Sequence, residues 1–277
     1  MMMPKWFAGD ILANGMRTHY WRTGGEKPPL VLAHGLSDNG LCWTRLARAL
    51  EDDYDLIMPD ARGHGLSERV EARESVGLAA DLAGLIEALG LEKPGVIGHS
   101  MGAVTAASLA ARYPDLVACV ILEDPPWREQ PPIQPDHDEK GHLDSWRQRL
   151  IVIQTKRRDE VMALCREENP KWAEVELGPW ADSKLQLDLN VFRASTLSFD
   201  PWQEIVPQIT CPVLLITADP ELGSIVTAAT AQQVVQMLPN AQVVHISGAG
   251  HSIRRGQFEA YVEAVTLFLR ENRRGLS

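Results

Sequence analysis

GVIGHSMGAVTAASLAAR, residues 95–112, carries the most informative pattern in the chain. Within it, Gly98-His99-Ser100-Met101-Gly102 fits G-x-S-x-G, directly after an apolar run and directly before an alanine-rich run. The apolar run predicts a buried strand and the alanine-rich run predicts a helix, so Ser100 falls on a tight strand-to-helix turn. Glycines flank it because such a turn has no room for a Cβ. We interpret Ser100 as a nucleophile; the alternative is a glycine-rich turn whose serine only caps the helix.

Short apolar runs alternate with helical stretches along most of the chain, which is typical of a mostly parallel sheet covered on both faces. The strands are predicted at residues 29–33, 55–58, 95–97, 117–122, 213–217 and 243–246. The helices that separate them are predicted at residues 41–51, 75–89, 101–112, 227–238 and 257–271. Before them, residues 10–22 predict an antiparallel hairpin that turns at Asn14-Gly15. The fold class is therefore α/β.

The segment between the strands at 117–122 and 213–217 contains no candidate for a parallel strand. Helical patterns occupy residues 142–156, 158–168 and 183–197, and five of the eight tryptophans lie in this segment: Trp127, Trp146, Trp172, Trp180 and Trp202. Structureless loops of this length are uncommon, so we predict a helical cap at 125–205 inserted in a core of 1–124 and 206–277. An ordinary run of helices packed on one sheet face is the alternative.

Composition excludes several classes of function. The 277 residues include 27 Lys and Arg against 37 Asp and Glu, which gives a net charge of −10 at pH 7. This acidic balance argues against nucleic acid or a membrane surface as a partner. We see neither a signal peptide nor an apolar stretch of the roughly 18 residues that cross a bilayer. The four cysteines form no CxxC pair, so we expect a cytoplasmic protein without a disulfide framework, and its oligomeric state stays open.

A nucleophilic serine needs a general base. His251 follows the last predicted strand in Ser247-Gly248-Ala249-Gly250-His251, where glycines let the loop approach the serine. The other histidines have simpler explanations as turn, loop, strand or cap residues. An oxyanion hole needs two backbone N–H groups. We assign them to Met101, after the nucleophile, and to Leu36, in the loop that follows the strand at 29–33.

With these residues in chain order, the sequence resembles the α/β-hydrolase family over nearly its whole length. The resemblance rests on His34-Gly35, on Asp60-Ala61-Arg62-Gly63-His64-Gly65-Leu66-Ser67, on the Ser100 turn and on Gly250-His251. It implies an eight-stranded sheet, a Ser-His-acid triad, and neither a cofactor nor a metal ion. Haloalkane dehalogenases and epoxide hydrolases of the family carry an aspartate at the nucleophile position, so Ser100 argues against both.

The acid of the triad has three candidates. In most family members it lies after the strand that precedes the histidine strand, which here offers Asp219 and Glu221. That stretch is lengthened at Leu222-Gly223-Ser224, so the alignment is ambiguous there. In some dehalogenases and in zearalenone-type lactonases the acid comes 24 residues after the nucleophile, a position that Asp124 occupies here. We favour Asp124 and keep Glu221 and Asp219 as alternatives.

These residues together predict a serine hydrolase that cleaves a small-molecule carboxylic ester or lactone through an acyl-enzyme. The same triad serves C–C bond hydrolases of ring-cleavage products and cofactor-free haloperoxidases, which remain alternatives. A C–C hydrolase would need cations in the cap for a dicarboxylate, and the candidates are Arg128, Arg147 and Arg149. A binding module on an inactive hydrolase fold is the alternative that is not an enzyme.

Overall fold

The computed structural model describes residues 6–71, 77–128, 137–192 and 199–276. In this part of the chain, eight strands form one sheet in the order β1-β2-β4-β3-β5-β6-β7-β8. β1 pairs antiparallel with β2, β2 pairs antiparallel with β4, and the remaining pairs are parallel. This confirms the predicted fold class. The strands are β1 Phe7–Ala13, β2 Met16–Arg22, β3 Pro29–Ala33, β4 Asp55–Pro59, β5 Gly95–His99, β6 Cys119–Glu123, β7 Val213–Thr217 and β8 Gln242–His245.

Helices connect the parallel strands, as the sequence predicts. They are α1 Thr44–Leu50, α2 Leu78–Ala88, α3 Met101–Arg112, α4 His137–Ile153, α5 Arg158–Glu168, α6 Glu174–Gln186, α7 Trp202–Ile205, α8 Ala228–Met237, α9 Ile253–Gly256 and α10 Phe258–Glu271. The predicted helix at 75–89 begins at Leu78, and its first two residues lie outside the described ranges.

Both faces of the sheet are buried. Successive side chains of a strand point to opposite faces. In β3, Val31 packs in one apolar cluster, whereas Leu30 and Leu32 pack in another, and all three are fully buried. The central strands are therefore continuous apolar runs, as expected for parallel strands covered on both faces. This burial holds the carboxyl ends of the strands in fixed positions, and the loops that follow them carry the predicted site residues.

The chain between β6 and β7, called the insertion below, contains α4 to α7. Its helices have an apolar cluster of their own, in which Leu150, Val161 and Leu177 are buried and against which Leu36 packs. The insertion also contacts the loop after β3, where the Asn39 side-chain amide donates to Gln186 Oε1 at 3.0 Å. The insertion therefore adjoins the carboxyl ends of the strands. The domain boundaries at 125 and 205 stay a prediction.

The predicted helix at 183–197 is wrong. The structure places α6 at Glu174–Gln186, with Pro179 inside it, and Leu187 is extended. A proline usually ends a helix, so the sequence pattern favoured a start after it. Residues 193–197 of the predicted helix lie outside the described part of the chain. Within the described part, helices that are long and apolar enough to cross a membrane are absent.

Candidate active site

Ser100 stands on a strained turn between β5 and α3. Its φ is 52° and its ψ is −115°, a conformation that a residue with a side chain rarely adopts. The flanking glycines are required by close backbone approaches: a Cβ on Gly98 would lie 2.2 Å from the Gly102 carbonyl oxygen, and one on Gly102 would lie 2.0 Å from the Ala33 carbonyl oxygen. The surroundings thus impose the strain, as is common at functional sites. The turn presents Ser100 at the N-terminus of α3.

His251 and Asp124 meet at the carboxyl end of the sheet. His251 Nδ1 lies 2.6 Å from Asp124 Oδ2. Asp124 is fully buried, and its two oxygens also accept the Ser224 hydroxyl and the backbone N–H groups of Ile225 and Val226, at 2.8 to 3.0 Å. Because donors converge on this carboxyl group, Nδ1 of His251 carries the proton of the shared hydrogen bond. In the neutral imidazole Nε2 then bears no hydrogen, which is the tautomer that a general base requires.

Neither of the other two candidate acids has a side-chain hydrogen bond to His251 in the described structure. Asp219 accepts from the Gly248 backbone N–H at 2.7 Å and lies 2.9 Å from His245 Nε2. Glu221 is exposed. The structure therefore brings His251 together with Asp124 and not with either residue of the β7–β8 connection.

His99, which precedes the nucleophile, connects the β5 turn to the His251 loop. Its Nε2 lies 2.9 Å from the His251 carbonyl oxygen, so Nε2 carries the hydrogen and donates it. The two imidazole rings are 4.8 Å apart. Burial, with Arg254 and His251 nearby, holds the pKa of His99 well below its ordinary value, so the ring stays neutral. Sequence reasoning treated His99 only as part of the turn.

The Ser100 hydroxyl itself makes no hydrogen bond to a described residue. Hydrogen bonds between nucleophile and base are often long in free enzymes and shorten when substrate binds. Ser100 and His251 are nevertheless held by the same contacts, because His99 joins their two loops.

The candidate oxyanion donors lie on either side of Ser100. Met101 begins α3, and the first N–H groups of a helix lack acceptors within it. Leu36 belongs to a turn over residues 35–38 that lies beside the nucleophile, since a Cβ on Gly35 would be 3.4 Å from Ser100 Cβ. In the described part of the chain, the Leu36 N–H has no hydrogen-bond acceptor. Both N–H groups are thus available to a substrate oxygen.

Six buried charged residues surround this turn and were not anticipated from sequence. Lys184 Nζ donates to the Ser37 carbonyl at 2.7 Å and pairs with Asp38 at 3.2 Å. Asp38 also pairs with both arginines of α9, at 3.3 and 3.1 Å. Arg254 also pairs with Glu123, and Arg255 also pairs with Glu176. We call this set of residues the charge cluster: Asp38, Glu123, Glu176, Lys184, Arg254 and Arg255. Sequence patterns assign such residues to the surface, so only the Glu123-Asp124 pair at a strand end hinted at it.

The three cations considered for a dicarboxylate substrate differ in their surroundings. Arg149 is half-exposed and pairs with Glu168. The Arg147 Nε is buried without a hydrogen-bond partner in the described structure, and the Arg128 carbonyl accepts from Trp202. Groups of three or more His, Cys, Asp or Glu side chains that could hold a metal ion are absent from the described residues.

The buried imidazole of His64, in the loop after β4, leads us to expect that the folded protein loses stability at acidic pH. Its Nδ1 donates to the Arg62 carbonyl at 2.9 Å, whereas its buried Nε2 has no partner among the described residues. Burial and the neighbouring His34 lower the pKa of His64 from 6.5 to about 3. Below pH 6.5 the unfolded chain therefore binds a proton that the folded protein does not, and stability falls as pH falls. From pH 7 to pH 5 we expect this residue to cost about 2 kcal/mol.

Urea unfolding at both pH values measures this effect. His64→Asn is the matched variant, because the asparagine amide can replace the Nδ1 donor without titrating. The difference in unfolding free energy between pH 7 and pH 5 should be smaller in the variant by about 2 kcal/mol. An equal difference in both proteins would show that His64 does not stay neutral in the folded state.

Comparisons with known proteins identify the family of this chain. The family described as the alpha/beta hydrolase fold matches residues 28–253. N-formylmaleamate deformylase of Pseudomonas putida is 28% identical over 278 residues, covering 94% of this chain and 96% of the relative. The 2-(acetamidomethylene)succinate hydrolase of Mesorhizobium japonicum is 29% identical over 261 residues, covering 90% of each.

Solved structures show the same fold. The crystal structure of an E-2-(acetamidomethylene)succinate hydrolase superposes with a TM-score of 0.74 at 23% identity and covers 96% of this chain and 99% of its own. An enol-lactonase from Burkholderia xenovorans gives 0.73 at 24% identity, with 95% and 100% coverage. The family match spans most of the sequence and includes β3, the Ser100 turn and the His251 loop. The chain therefore belongs to the α/β-hydrolase family and is a hydrolase of that family.

Proposed function

We propose that this protein is a serine hydrolase that cleaves a small-molecule carboxylic ester or lactone through an acyl-enzyme at Ser100. The observation that carries the proposal is the 2.6 Å contact between His251 Nδ1 and the buried Asp124, in the loop that His99 ties to the nucleophile turn. The contact favours the tautomer of His251 whose Nε2 can accept the proton of the Ser100 hydroxyl, as a general base must. Asp124 is the proposed triad acid.

The proposed reaction has two halves. Ser100 Oγ attacks the carbonyl carbon and its proton passes to His251 Nε2, while the N–H groups of Leu36 and Met101 stabilise the oxyanion. Collapse of the tetrahedral intermediate breaks the C–O bond, and the leaving alcohol takes the proton from His251. A water molecule then gives a proton to His251 and attacks the acyl-enzyme. This releases the carboxylic acid and restores the Ser100 hydroxyl.

Hydrolysis of an N-acyl bond is a second candidate, and the sequence relatives favour it. Two relatives that align over 90% or more of this chain are named for an N-formyl and an acetamidomethylene substrate. The same acyl-enzyme route serves such a bond, provided that His251 protonates the leaving nitrogen. The enol-lactonase and esterase neighbours share less than 25% identity and support only the fold.

A panel of substrates separates these reactions. It consists of short p-nitrophenyl esters, an aliphatic lactone, an N-formyl enamide and a vinylogous diketo acid, each assayed with the wild-type protein and with Ser100→Ala as the control. We expect the ester or the lactone to have the highest kcat/KM. A higher value for the enamide would move the assignment to the second candidate. Turnover of the diketo acid alone would show a C–C hydrolase, and no turnover of any substrate would contradict the proposed function.

A further inference from the structure

The turn at residues 35–38 is strained beside the nucleophile. The Gly35 carbonyl accepts the Asp38 N–H at 3.0 Å, and Ser37 has a φ of 65°, whereas Leu36 is not among the residues with positive φ. A positive φ at the third position but not at the second is the pattern of a type II β-turn, whose third position normally requires glycine. A serine there persists only where surrounding contacts impose the conformation. The turn carries the Leu36 N–H, so whatever imposes its conformation also sets the direction of that donor.

Lys184 provides such a contact from the insertion. It lies on α6, and its side chain is only 6% exposed. Its ammonium group donates to the carbonyl oxygen of Ser37, the residue with the strained φ, and pairs with the carboxylate of Asp38, the last residue of the turn. One side chain thus holds two consecutive residues of the turn. Both contacts are shielded from water, where ionic hydrogen bonds are strongest.

The other end of the charge cluster fixes Asp38 to the His251 loop. Arg254 and Arg255 follow His251 by three and four residues and both pair with Asp38. Burial alone would raise the pKa of Asp38, but Arg255, Lys184 and Arg254 outweigh it and hold that pKa well below its usual range. The cluster has three acids and three bases, so its charges balance. Without Lys184, Asp38 would keep two cationic partners, but the cluster would carry one uncompensated negative charge, so stability has to be measured beside the rate.

We propose that Lys184 is a positioning residue of the oxyanion site, which holds the 35–38 turn so that the Leu36 N–H faces the oxygen that becomes negative at Ser100. The inference rests on the proposed function, since it requires an oxyanion at Ser100. In this arrangement a residue of the insertion, Lys184 on α6, sets the position of an oxyanion donor that belongs to the loop after β3.

The test compares Lys184→Met with Gln154→Leu, its matched control. Gln154 donates to the Lys184 and Leu187 carbonyls inside the insertion and has no hydrogen bond to residues 35–38 in the described structure. The readout is the rate at which a fluorophosphonate probe phosphonylates Ser100, because its P=O oxygen occupies the oxyanion site. Saturation with probe separates the maximal rate from the apparent affinity, and the melting temperature of each variant is measured alongside.

We expect Lys184→Met to lower the maximal labelling rate about ten- to a hundredfold with little change in apparent affinity, somewhat less than the loss of an oxyanion donor. Gln154→Leu should stay within about threefold of wild type even if its melting temperature falls equally. A second variant, Ser37→Gly, should restore most of the rate in the Lys184→Met background, because glycine adopts the positive φ without strain.

Three results would overturn the inference. A Lys184→Met rate within threefold of wild type would show that the turn holds its geometry alone. A loss matched by Gln154→Leu would assign the effect to general destabilisation of the insertion. A loss that Ser37→Gly does not recover would place the action of Lys184 elsewhere. In each of these cases, labelling of Ser100 in the wild-type protein would still support the proposed function. If the wild-type protein were not labelled, the proposed function and the role of Lys184 would both be contradicted.

Discussion

Replacing Ser100 by alanine should lower kcat roughly 10⁴- to 10⁶-fold, the cost typical of losing the nucleophile of a triad. The alanine cannot form an acyl-enzyme, and the residual rate would come from the oxyanion donors and from binding. The fold should be unaffected, because the Ser100 hydroxyl makes no hydrogen bond within the described residues. The measurement is kcat on the best substrate of the panel, with the melting temperature of both proteins.

The expected melting temperatures differ by less than about 2 °C, which separates lost chemistry from lost structure. Alanine keeps a Cβ at the same strained φ and so adds no new clash with the neighbouring glycines. Activity of Ser100→Ala within tenfold of wild type, at equal stability, would mean that the reaction does not pass through this residue.

Replacing Asp124 by asparagine should lower kcat on the order of 10⁴-fold. The asparagine oxygen can keep the bonds from Ser224 and Val226, which leaves its NH₂ group facing His251. Nδ1 would then accept a hydrogen bond, and the proton would move to Nε2, where it blocks the removal of the Ser100 proton. Asparagine also tolerates a left-handed backbone, so the φ of 42° at this position is kept.

Asp219→Asn and Glu221→Gln are the matched controls, because each removes one charge from a residue that an alternative alignment would make the acid. Each should change kcat less than about tenfold. Melting temperatures are measured for all three variants, since Asp124 also holds the 224–226 backbone. If Glu221→Gln lost activity at unchanged stability while Asp124→Asn stayed active, the acid would have been assigned to the wrong residue.

The positions of the strands along the chain and the nucleophile turn could be predicted because they depend on local signals. Buried parallel strands are apolar runs, and the turn at Ser100 needs glycine at positions 98 and 102 for the close contacts that the structure contains. The pairing of Asp124 with His251 could not be predicted from a local signal alone, because three acidic residues follow strands at positions where family members carry the triad acid. The structure separates them by contacts that join residues about a hundred positions apart.

Neither the charge cluster nor the bounds of α6 could be predicted from the sequence, and the reason differs between the two. Lys184 and Asp38 look like surface residues in any hydropathy pattern, because their burial depends on partners that are distant in sequence. In α6, Pro179 is tolerated in the interior because tertiary packing outweighs its local penalty, and the helix ends where Leu187 turns extended. Local propensity favoured a helix that starts after Pro179, so the predicted helix lies too far towards the C-terminus.

The central claim is that Ser100 becomes covalently bonded to the acyl group. Treatment with a fluorophosphonate probe, followed by proteolysis and peptide mass spectrometry, tests it most directly, with Ser100→Ala as the control. We expect one adduct, on Ser100, that requires His251 and is lost in the alanine variant. An adduct on another residue, or an unmodified Ser100 after prolonged exposure of the folded protein, would contradict it.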